Sequence, residues 1–277
     1  MNSPRYRLSR VSCTRSEMPG LLPTMRLAII TDIHGNLAAL EAVVSDMRRR
    51  GVDQTVNLGD SLSGPLLPLE TAQFLMAEGW PSLAGNHERQ ILTASPRYRG
   101  ASDEYALSQL TAKELSWLMS LAPSLRLTPD IFLCHGTPAS DTDYFLDTVE
   151  SSGTVRLATL EEVEGRLGAE SAPLVACGHT HIPRVIHAKG RQFLVNPGSV
   201  GLPAYRDDHP VPHVIETGSP HARYAIAEQI GTEWVISLLS VPYDNKSMAE
   251  LARQRGRPEW QHALLTGALP TQFLTRP

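Results

Sequence analysis

Short apolar runs recur along the chain, and each is bounded by glycine, proline or polar residues. Runs of this length and composition are typical of buried β-strands. Five of them are followed at once by residue types that bind metals. With the residues that follow, they are RLAII before Thr31–Asp32–Ile33–His34, VNL before Gly59–Asp60, SLA before Gly85–Asn86–His87–Glu88, IFLC before His135–Gly136, and LVAC before Gly178–His179–Thr180–His181.

The ends of these strands are expected to meet. In open α/β sheets, ligands bind just beyond the carboxyl ends of the strands. If the five strands share one sheet or two stacked sheets of similar polarity, their ends converge on one crevice. A lone Asp-x-His or His-x-His would be weak evidence, because short motifs occur often by chance. Five such ends together predict a binuclear metal site. The candidate ligands are Asp32, His34, Asp60, Asn86, His135, His179 and His181.

The donor set indicates which ions would bind. Imidazole, carboxylate and amide oxygen together suit manganese, iron, zinc or nickel rather than calcium. Asp60 is the expected bridge, because its carboxylate has two oxygens and can hold two cations. Ions about 3.5–4 Å apart can bind both the attacking and the leaving oxygen of a phosphoester. We therefore expect two divalent transition-metal ions, with manganese as the first choice.

The remaining pattern predicts the scaffold. Apolar residues at helical spacing, with capping residues at their ends, predict helices. Four late apolar segments are expected to form antiparallel strands of a second sheet. The expected helices are Leu37–Arg50, Leu66–Glu78, one capped by Thr111 and Glu114, one capped by Thr159 and Glu162, and two packed on the outside within 245–268. The expected late strands are Arg184–His187, Gln192–Val195, Ala222–Glu228 and Trp234–Val241.

The order and spacing of the five motifs resemble the calcineurin-like metallophosphoesterase superfamily over about residues 26–241. The segment Asn196–Pro197–Gly198–Ser199–Val200–Gly201 is similar to a loop of its small bacterial phosphodiesterase-like branch. The resemblance implies an α/β fold, a four-layer α/β/β/α sandwich of two mixed sheets with the metal site at the strand tips. It implies one ion on Asp32, His34, Asp60 and His181, and a second on Asp60, Asn86, His135 and His179.

The resemblance also implies hydrolysis of phosphoester bonds by a metal-bound hydroxide. His87 would be the catalytic residue, contacting the phosphate or protonating the leaving oxygen. Two nearby cations should lower the pKa of His87, whereas a bound phosphate dianion should raise it. Related phosphatases carry an arginine shortly after the bridging aspartate, but the segment Ser61–Pro65 has none. A phosphodiester carries one charge less than a monoester, so we expect a phosphodiesterase. A phosphomonoesterase, a dinucleoside polyphosphate hydrolase and a non-catalytic metal-binding or regulatory scaffold are the alternatives.

The composition of the chain limits which partners and substrates it can bind. The chain has 277 residues, a net charge of −4 and a pI near 6.2, so no global basic field attracts duplex nucleic acid. A small-molecule or nucleotide phosphoester is the expected substrate, and a homo-oligomer is compatible with the sequence. No apolar run is long enough to span a membrane. Only three cysteines occur, Cys13, Cys134 and Cys177, which favours a reduced, cytoplasmic setting.

The N-terminal segment and two loops complete the expectations. Residues 1–24 are arginine-rich and lack periodicity. We expect this segment either to be disordered or to be present only because the start codon was wrongly assigned. Residues 25–277 would then form a single metallophosphoesterase domain, and a chain beginning at Met25 should still fold and bind metal. Asp141–Gly153 is an active-site lid or, as its composition favours, a solvated connection. Tyr205–His213 is a solvated turn or part of the site mouth. The candidate substrate-binding residues are Asn86, Arg206 and His209, with Arg97, Arg99 and His213 as further sources of contacts.

Overall fold

Two mixed β-sheets pack face to face in the computed structural model, which describes residues 25–93, 95 and 99–271. The expected N-terminal extension, residues 1–24, lies outside the described residues. The strands are β1 (Met25–Ile30), β2 (Gln54–Asn57), β3 (Ser124–Thr128), β4 (Ile131–Cys134), β5 (Asp147–Val149), β6 (Val155–Leu157), β7 (Leu174–Ala176), β8 (Arg184–His187), β9 (Phe193–Asn196), β10 (Ala204–Asp207), β11 (His213–Glu216), β12 (Ala222–Ile230) and β13 (Glu233–Val241). The helices are α1 (Leu37–Arg50), α2 (Pro68–Glu78), α3 (Asn86–Leu92), α4 (Ala101–Gln109), α5 (Ala112–Met119), α6 (Leu160–Leu167), α7 (Asn245–Gln254) and α8 (Pro258–Thr266).

The first sheet has four strands in the order β13-β12-β1-β2. Strands β1 and β2 are parallel, and α1 connects them across the outer face of the sheet. The bounds of α1 agree with the sequence prediction. Its N-terminus is capped by the Asn36 side chain, which accepts the N–H of Ala39, and it ends where Gly51 adopts a left-handed conformation. The first βα turn therefore carries Asp32 and His34 directly from β1 to the start of α1.

The second sheet has five strands in the order β3-β4-β7-β9-β8. Strands β4, β7 and β9 are parallel, so their carboxyl ends point the same way. Apolar side chains from both sheets fill the space between them, with Leu27, Leu133 and Val195 fully buried. Helix α6 and the β5–β6 hairpin cover the opposite face of the second sheet. The α/β/β/α sandwich inferred from the sequence is confirmed.

The predicted positions of the late strands are correct, but their assignment to a common second sheet is wrong. Strands β12 and β13 join the first sheet, because β12 pairs antiparallel with β1. Strands β8 and β9 join the other sheet, where β9 pairs parallel with β7. The apolar pattern of a strand gives its location and its buried face, but not its neighbour in the sheet.

Helix caps were well predicted. Thr111 and Glu114 form a capping box at the start of α5, and Thr159 and Glu162 form one at the start of α6. Helix α2 begins at Pro68 rather than Leu66, because proline favours the first helical position. Cys134 and Cys177 are buried beneath α6, and burial raises the pKa of both thiols, in agreement with their predicted role in the core.

The two C-terminal helices form an apolar cluster with the loop that follows β2 and with β10. Helix α8 also reaches the end of the sandwich where the predicted ligands lie, a contact that the sequence did not indicate. Its Trp260 packs against the His34 ring, with 6.1 Å between the ring centroids. An amphipathic pattern shows which face of a helix is buried, but not which part of the protein buries it.

Candidate metal centre

The structure brings six of the seven predicted ligands into two adjacent clusters. Within each cluster one donor atom per residue lies within 4.8 Å of the others. The clusters touch, because Asp32 Oδ1 of one lies 4.0 Å from His135 Nε2 of the other. All six side chains are buried at the carboxyl ends of the strands. The first cluster is Asp32, His34 and His181, and the second is Asp60, His135 and His179.

The backbone at these positions is unusual. Apart from Arg191, the non-glycine residues with positive φ in the described part of the chain are all predicted ligands. Such a conformation costs about 1–3 kcal/mol per residue and persists only where surrounding structure enforces it. Strained backbone is concentrated at functional sites, so it supports the same assignment independently of side-chain type. These five predicted ligands are Asp32 (φ 54°), His34 (φ 53°), Asp60 (φ 52°), His179 (φ 67°) and His181 (φ 57°).

Hydrogen bonds fix which imidazole nitrogens are free. His34 Nδ1 lies 2.8 Å from the carbonyl oxygen of Ser63, and His181 Nδ1 lies 2.7 Å from that of Leu202. A carbonyl only accepts, so each Nδ1 carries the proton and each Nε2 keeps a lone pair. These two Nε2 atoms are only 3.2 Å apart. Facing lone pairs repel one another, whereas a shared cation satisfies both.

In the second cluster backbone carbonyls again fix the imidazole rings, but one ring is bound through the opposite nitrogen. His135 Nδ1 donates to the carbonyl of Leu58 at 2.9 Å, which leaves Nε2 facing Asp60 Oδ2 at 3.0 Å. His179 instead donates from Nε2 to the carbonyl of Thr142 at 2.9 Å, so its Nδ1 is the free donor. Backbone carbonyls that orient ligand imidazoles in this way are common around metal ions in proteins.

The charge states of the clustered histidines also suit metal binding. Burial and the neighbouring rings of His181 and His87 lower the pKa of His34 to about 3, and burial together with His135 lowers that of His179 to about 4. Both rings are therefore neutral at pH 7, which is the form that binds metals. Burial opposes protonation of His135, but the Asp60 carboxylate outweighs it and raises the pKa to about 10. A metal ion there would displace a proton.

Two buried oxygen atoms of the predicted ligands have no hydrogen-bond partner among the described residues. They are Asp32 Oδ1 and Asn86 Oδ1. The other Asp32 oxygen accepts the N–H of His179 at 3.1 Å. Unpaired buried oxygens are costly unless a partner satisfies them, and a divalent cation would do so. Asn86, the seventh predicted ligand, lines the same cavity as the histidines. The residues present thus fit a pair of cations.

Neighbouring loops hold the ligands. Ser199 Oγ donates to the carbonyl of Asp32 at 2.7 Å, and the N–H of Gly201 donates to the same oxygen at 3.0 Å. A Cβ atom at Gly201 would overlap the carbonyl of Ile33, so only glycine allows this approach. The Asn196–Gly201 segment, which the sequence linked to the site by resemblance, therefore packs directly on the Asp32 loop.

Glu88 holds the loop that bears Asp60. It is fully buried, and its carboxylate accepts the N–H groups of Asp60, Ser61 and Gly85, each at 2.8 Å. Asp60 Oδ1 in turn accepts the N–H of His87 at 2.9 Å. Glu88 belongs to the predicted Gly85–Glu88 motif, but no role was expected for it. The feature that could have indicated a role for Glu88 is its position, because it is the third residue of a helix that follows a glycine cap.

His87 lies beside the first cluster, with its ring 5.4 Å from that of His34. Its Nδ1 is 2.7 Å from the carboxylate of Asp103 on α4. Burial opposes protonation, but the carboxylates of Asp60 and Asp103 raise the pKa of His87 to about 9. From the sequence, only cations and phosphate were expected near this ring. Asp103 was missed, because α4 was not predicted and its chain position carries no motif.

A cavity of about 870 Å³ opens onto both clusters. This volume is typical of sites for ligands much larger than a phosphate group. Three aromatic residues line it besides the histidines. Tyr144 packs on His179, with 5.2 Å between ring centroids, and Tyr205 packs on His181 at 4.6 Å. Trp260 is the third. Tyr144 and Tyr205 lie in the two loops named from the sequence, but no role was predicted for any of the three rings.

The predicted substrate loops both reach this cavity. Arg206 and His209 line it from the β10–β11 hairpin, and Arg206 is 3.2 Å from Asp208. His213 lies deeper, 2.8 Å from the Tyr144 hydroxyl. Thr142 and Tyr144 of the Asp141–Gly153 segment also line the cavity, so the preference for a merely solvated connection was wrong.

Two further arginines, Arg97 and Arg99, were suggested as phosphate contacts. Arg97 lies outside the described residues. Arg99 pairs with Glu104 at 2.8 Å and is not part of the cavity wall. Among the described residues, no helix is both long and apolar enough to cross a membrane.

Comparisons with known proteins agree with this geometry. The profile of the calcineurin-like phosphoesterase superfamily domain matches residues 25–217. An uncharacterized protein of Methanocaldococcus jannaschii, MJ0912, is 25% identical over 262 residues, which cover 84% of this chain and 94% of that protein. The phosphodiesterase YfcE of Escherichia coli K12 is 27% identical over 183 residues, covering 65% of this chain and 81% of YfcE. A crystal structure of a metallophosphoesterase from Sphaerobacter thermophilus has a TM-score of 0.68 and 27% identity, and the match covers 88% of this chain and all of that one (100%).

Proposed function

Because the chain belongs to the calcineurin-like phosphoesterase superfamily, and is thus a metal-dependent hydrolase of phosphoesters, we propose that it is a binuclear phosphodiesterase. The observation that carries the proposal is the pair of adjacent donor clusters at the floor of one cavity. In the first cluster two imidazole nitrogens face one another at 3.2 Å, and Asp32 Oδ1 has no hydrogen-bond partner among the described residues. In the second cluster His135 Nε2 lies 3.0 Å from Asp60 Oδ2. Two cations and an anionic substrate complete such a site.

We assign one ion to Asp32, His34, Asp60 and His181. The other ion is assigned to Asp60, Asn86, His135 and His179, with Asp60 shared. The mixture of imidazole, carboxylate and amide oxygen supports manganese, with iron, zinc and nickel as alternatives. When bound, the two ions supply an activated water at neutral pH and neutralise charge on the phosphate.

The protein's own groups then orient the ester and manage the proton. Asn86 carries a side-chain amide that can donate to a phosphate oxygen, in addition to its unpaired carbonyl oxygen. His87 is held by Asp103 through Nδ1, which leaves Nε2 for the leaving oxygen. The Asp103 carboxylate favours the protonated form of this ring, the form that can donate.

The cationic side chains around the cavity favour a diester over a monoester. Arg206 pairs with Asp208 at 3.2 Å, and Arg257 pairs with Glu259 at 2.5 Å. Arg166 donates to the carbonyl oxygens of Phe145 and Asp147. Carboxylates pair with Arg206 and Arg257, and backbone carbonyls occupy donors of Arg166, so few free cationic donors remain for the second charge of a monoester. A monoanionic diester needs less positive charge from the cavity wall.

The test is hydrolysis of bis-p-nitrophenyl phosphate and of p-nitrophenyl phosphate by the Mn²⁺-loaded protein, with Asp60→Asn as the control. Metal-dependent turnover of the diester, greater kcat/KM for the diester than for the monoester, and loss of turnover in the variant are expected. Preferred turnover of the monoester would identify a phosphomonoesterase instead. Tight metal binding without any turnover would point to a non-catalytic scaffold.

A further inference from the structure

The C-terminal helix α8 supplies a wall of the cavity, although the family domain matches only residues 25–217. We propose that Trp260 forms the leaving-group subsite and selects phosphoesters whose leaving group carries a planar ring. This inference rests on the proposed hydrolytic function, and it names the part of the chain that determines the choice of substrate.

Three contacts tie the C-terminal helices to the metal centre. Arg255 donates to the carbonyl oxygen of Pro65, at the end of the loop that begins with Asp60. Arg257 donates to Ser102 Oγ at 3.1 Å, one residue before Asp103. The Trp260 ring lies against Gly64, where a Cβ atom would come within 2.8 Å of it. The two C-terminal helices and their connection therefore touch the loop that carries the proposed bridging ligand and helix α4, which carries the partner of His87.

The position of Trp260 indicates which end of the substrate it meets. The rings of Trp260 and His87 both pack against His34, with centroid distances of 6.1 and 5.4 Å. Tyr144, by contrast, packs against His179 of the other cluster. His87 is the proposed proton donor to the leaving oxygen. A group attached to that oxygen would therefore lie on the Trp260 side of the cavity.

The chemistry of this wall suits a planar ring. Trp260 is only 6% exposed, so its position is fixed by packing before any ligand enters. Leu202 and Leu269 add apolar surface to the lining, while Ser102 and Gln90 add hydrogen-bonding groups. A pre-positioned indole binds a planar ring through stacked or edge-to-face contact, which an aliphatic group cannot match.

The first experiment compares two diesters that share a product. Ethyl p-nitrophenyl phosphate has a planar leaving group, whereas ethyl hexafluoroisopropyl phosphate has a non-planar one, and both yield ethyl phosphate, measured by chromatography. The ratio of the two kcat/KM values is determined for wild type, Trp260→Leu and Trp260→Phe. The ratio should fall roughly five- to ten-fold in the leucine variant and stay within about two-fold in the phenylalanine variant.

The matched control is Trp234→Leu, because Trp234 is buried between the two sheets and does not line the cavity. Its ratio should equal that of wild type. If Trp260→Leu does not fold, Trp260→Met, which also lacks a ring, is measured in its place. An unchanged ratio in a folded variant without the ring would overturn the inference.

A second measurement separates this inference from the proposed function. Phenylphosphonate and methylphosphonate have no ester to hydrolyse, and their affinities for the Mn²⁺-loaded protein are compared by calorimetry. Wild type should prefer the phenyl compound, and Trp260→Leu should lose that preference. Equal affinities in wild type would contradict the planar-ring subsite. If neither diester is hydrolysed by wild type, the proposed function fails, while the phosphonate preference still decides the role of Trp260.

Discussion

The buried carboxylate of Glu88 accepts the backbone N–H of Asp60 at 2.8 Å, so a side chain on α3 fixes the loop that carries the proposed bridging ligand. In Glu88→Gln, an amide NH₂ would face N–H groups that need an acceptor. We expect metal affinity to fall about 10- to 100-fold, because partners that orient ligands contribute on this scale. Calorimetric titration with Mn²⁺ measures the change.

The control for that variant is Glu114→Gln. Glu114 occupies the same third position of a capping box, at the start of α5, and is remote from the clusters. Both variants should lose some helix-cap stability, but only Glu88→Gln should lose metal affinity. An equal effect of the two on Mn²⁺ binding would show that Glu88 acts only as a cap.

Asp103→Asn should move the pH dependence of turnover. Burial opposes protonation of His87, while Asp60 and Asp103 raise its pKa to about 9, so loss of one carboxylate lowers that pKa. His87 must be protonated to donate, and the alkaline limb of the kcat/KM profile should therefore shift to lower pH. The loss of rate should be larger for alkyl than for p-nitrophenyl leaving groups, because a nitrophenolate needs little protonation.

Glu104→Gln is the matched control for this pH experiment, since Glu104 is the next residue of α4 and pairs with Arg99. Its profile should coincide with that of wild type. A profile of Asp103→Asn that does not move would remove His87 from the proton-donor role.

His181→Gln should bind fewer ions. The change removes one of the two facing Nε2 atoms, so the first cluster loses a donor. We expect about two manganese ions per chain in wild type and about one in the variant, by elemental analysis after desalting. The increase in Tm on adding Mn²⁺ should shrink accordingly. His187→Gln alters a histidine on β8 that stacks on Phe193, and it should retain both ions.

Arg206→Gln tests the hairpin at the cavity mouth. The guanidinium is already paired with an exposed carboxylate, so its contribution to substrate binding should be small. We expect KM for the diester to rise about three- to five-fold with kcat unchanged. Arg191→Gln removes a comparable surface pair, 3.3 Å from Glu233 and away from the cavity, and should change neither constant.

Gly85→Ala should damage the site through sterics alone. A Cβ atom at this position would collide with the Asp60 carboxylate. We expect a loss of about 1–3 kcal/mol in the free energy of unfolding together with loss of metal binding. Gly165→Ala is the control, because a Cβ atom in α6 would meet nothing within 4 Å. It should stabilise the protein by about 0.5–1 kcal/mol. Urea unfolding measures both.

The strand-end motifs could be read from the sequence because each predicted ligand follows its strand directly. For Asp32, Asp60 and His135, the position in the fold is set by a few neighbouring residues and by the general direction of strands in such sheets. The same local information gave the caps of α1, α5 and α6. These features depend on short stretches of chain, so no long-range contact had to be known.

The rest of the site depends on contacts between distant segments. Asp103, Tyr144 and Trp260 come from three loops or helices that no common motif connects, and each is an ordinary residue for its element. The pairing of β12 with β1 was missed for the same reason. Apolar patterning tells which face of an element is buried, but not which other element covers it.

The left-handed backbone of five proposed ligands has a consequence for how relatives of this protein diverge. Glycine adopts that conformation without the steric cost that aspartate and histidine bear there. A descendant released from the need for metal would therefore recover part of that cost by acquiring glycine at these positions. Glycine in place of Asp32 or His179 would mark a lineage that has abandoned catalysis.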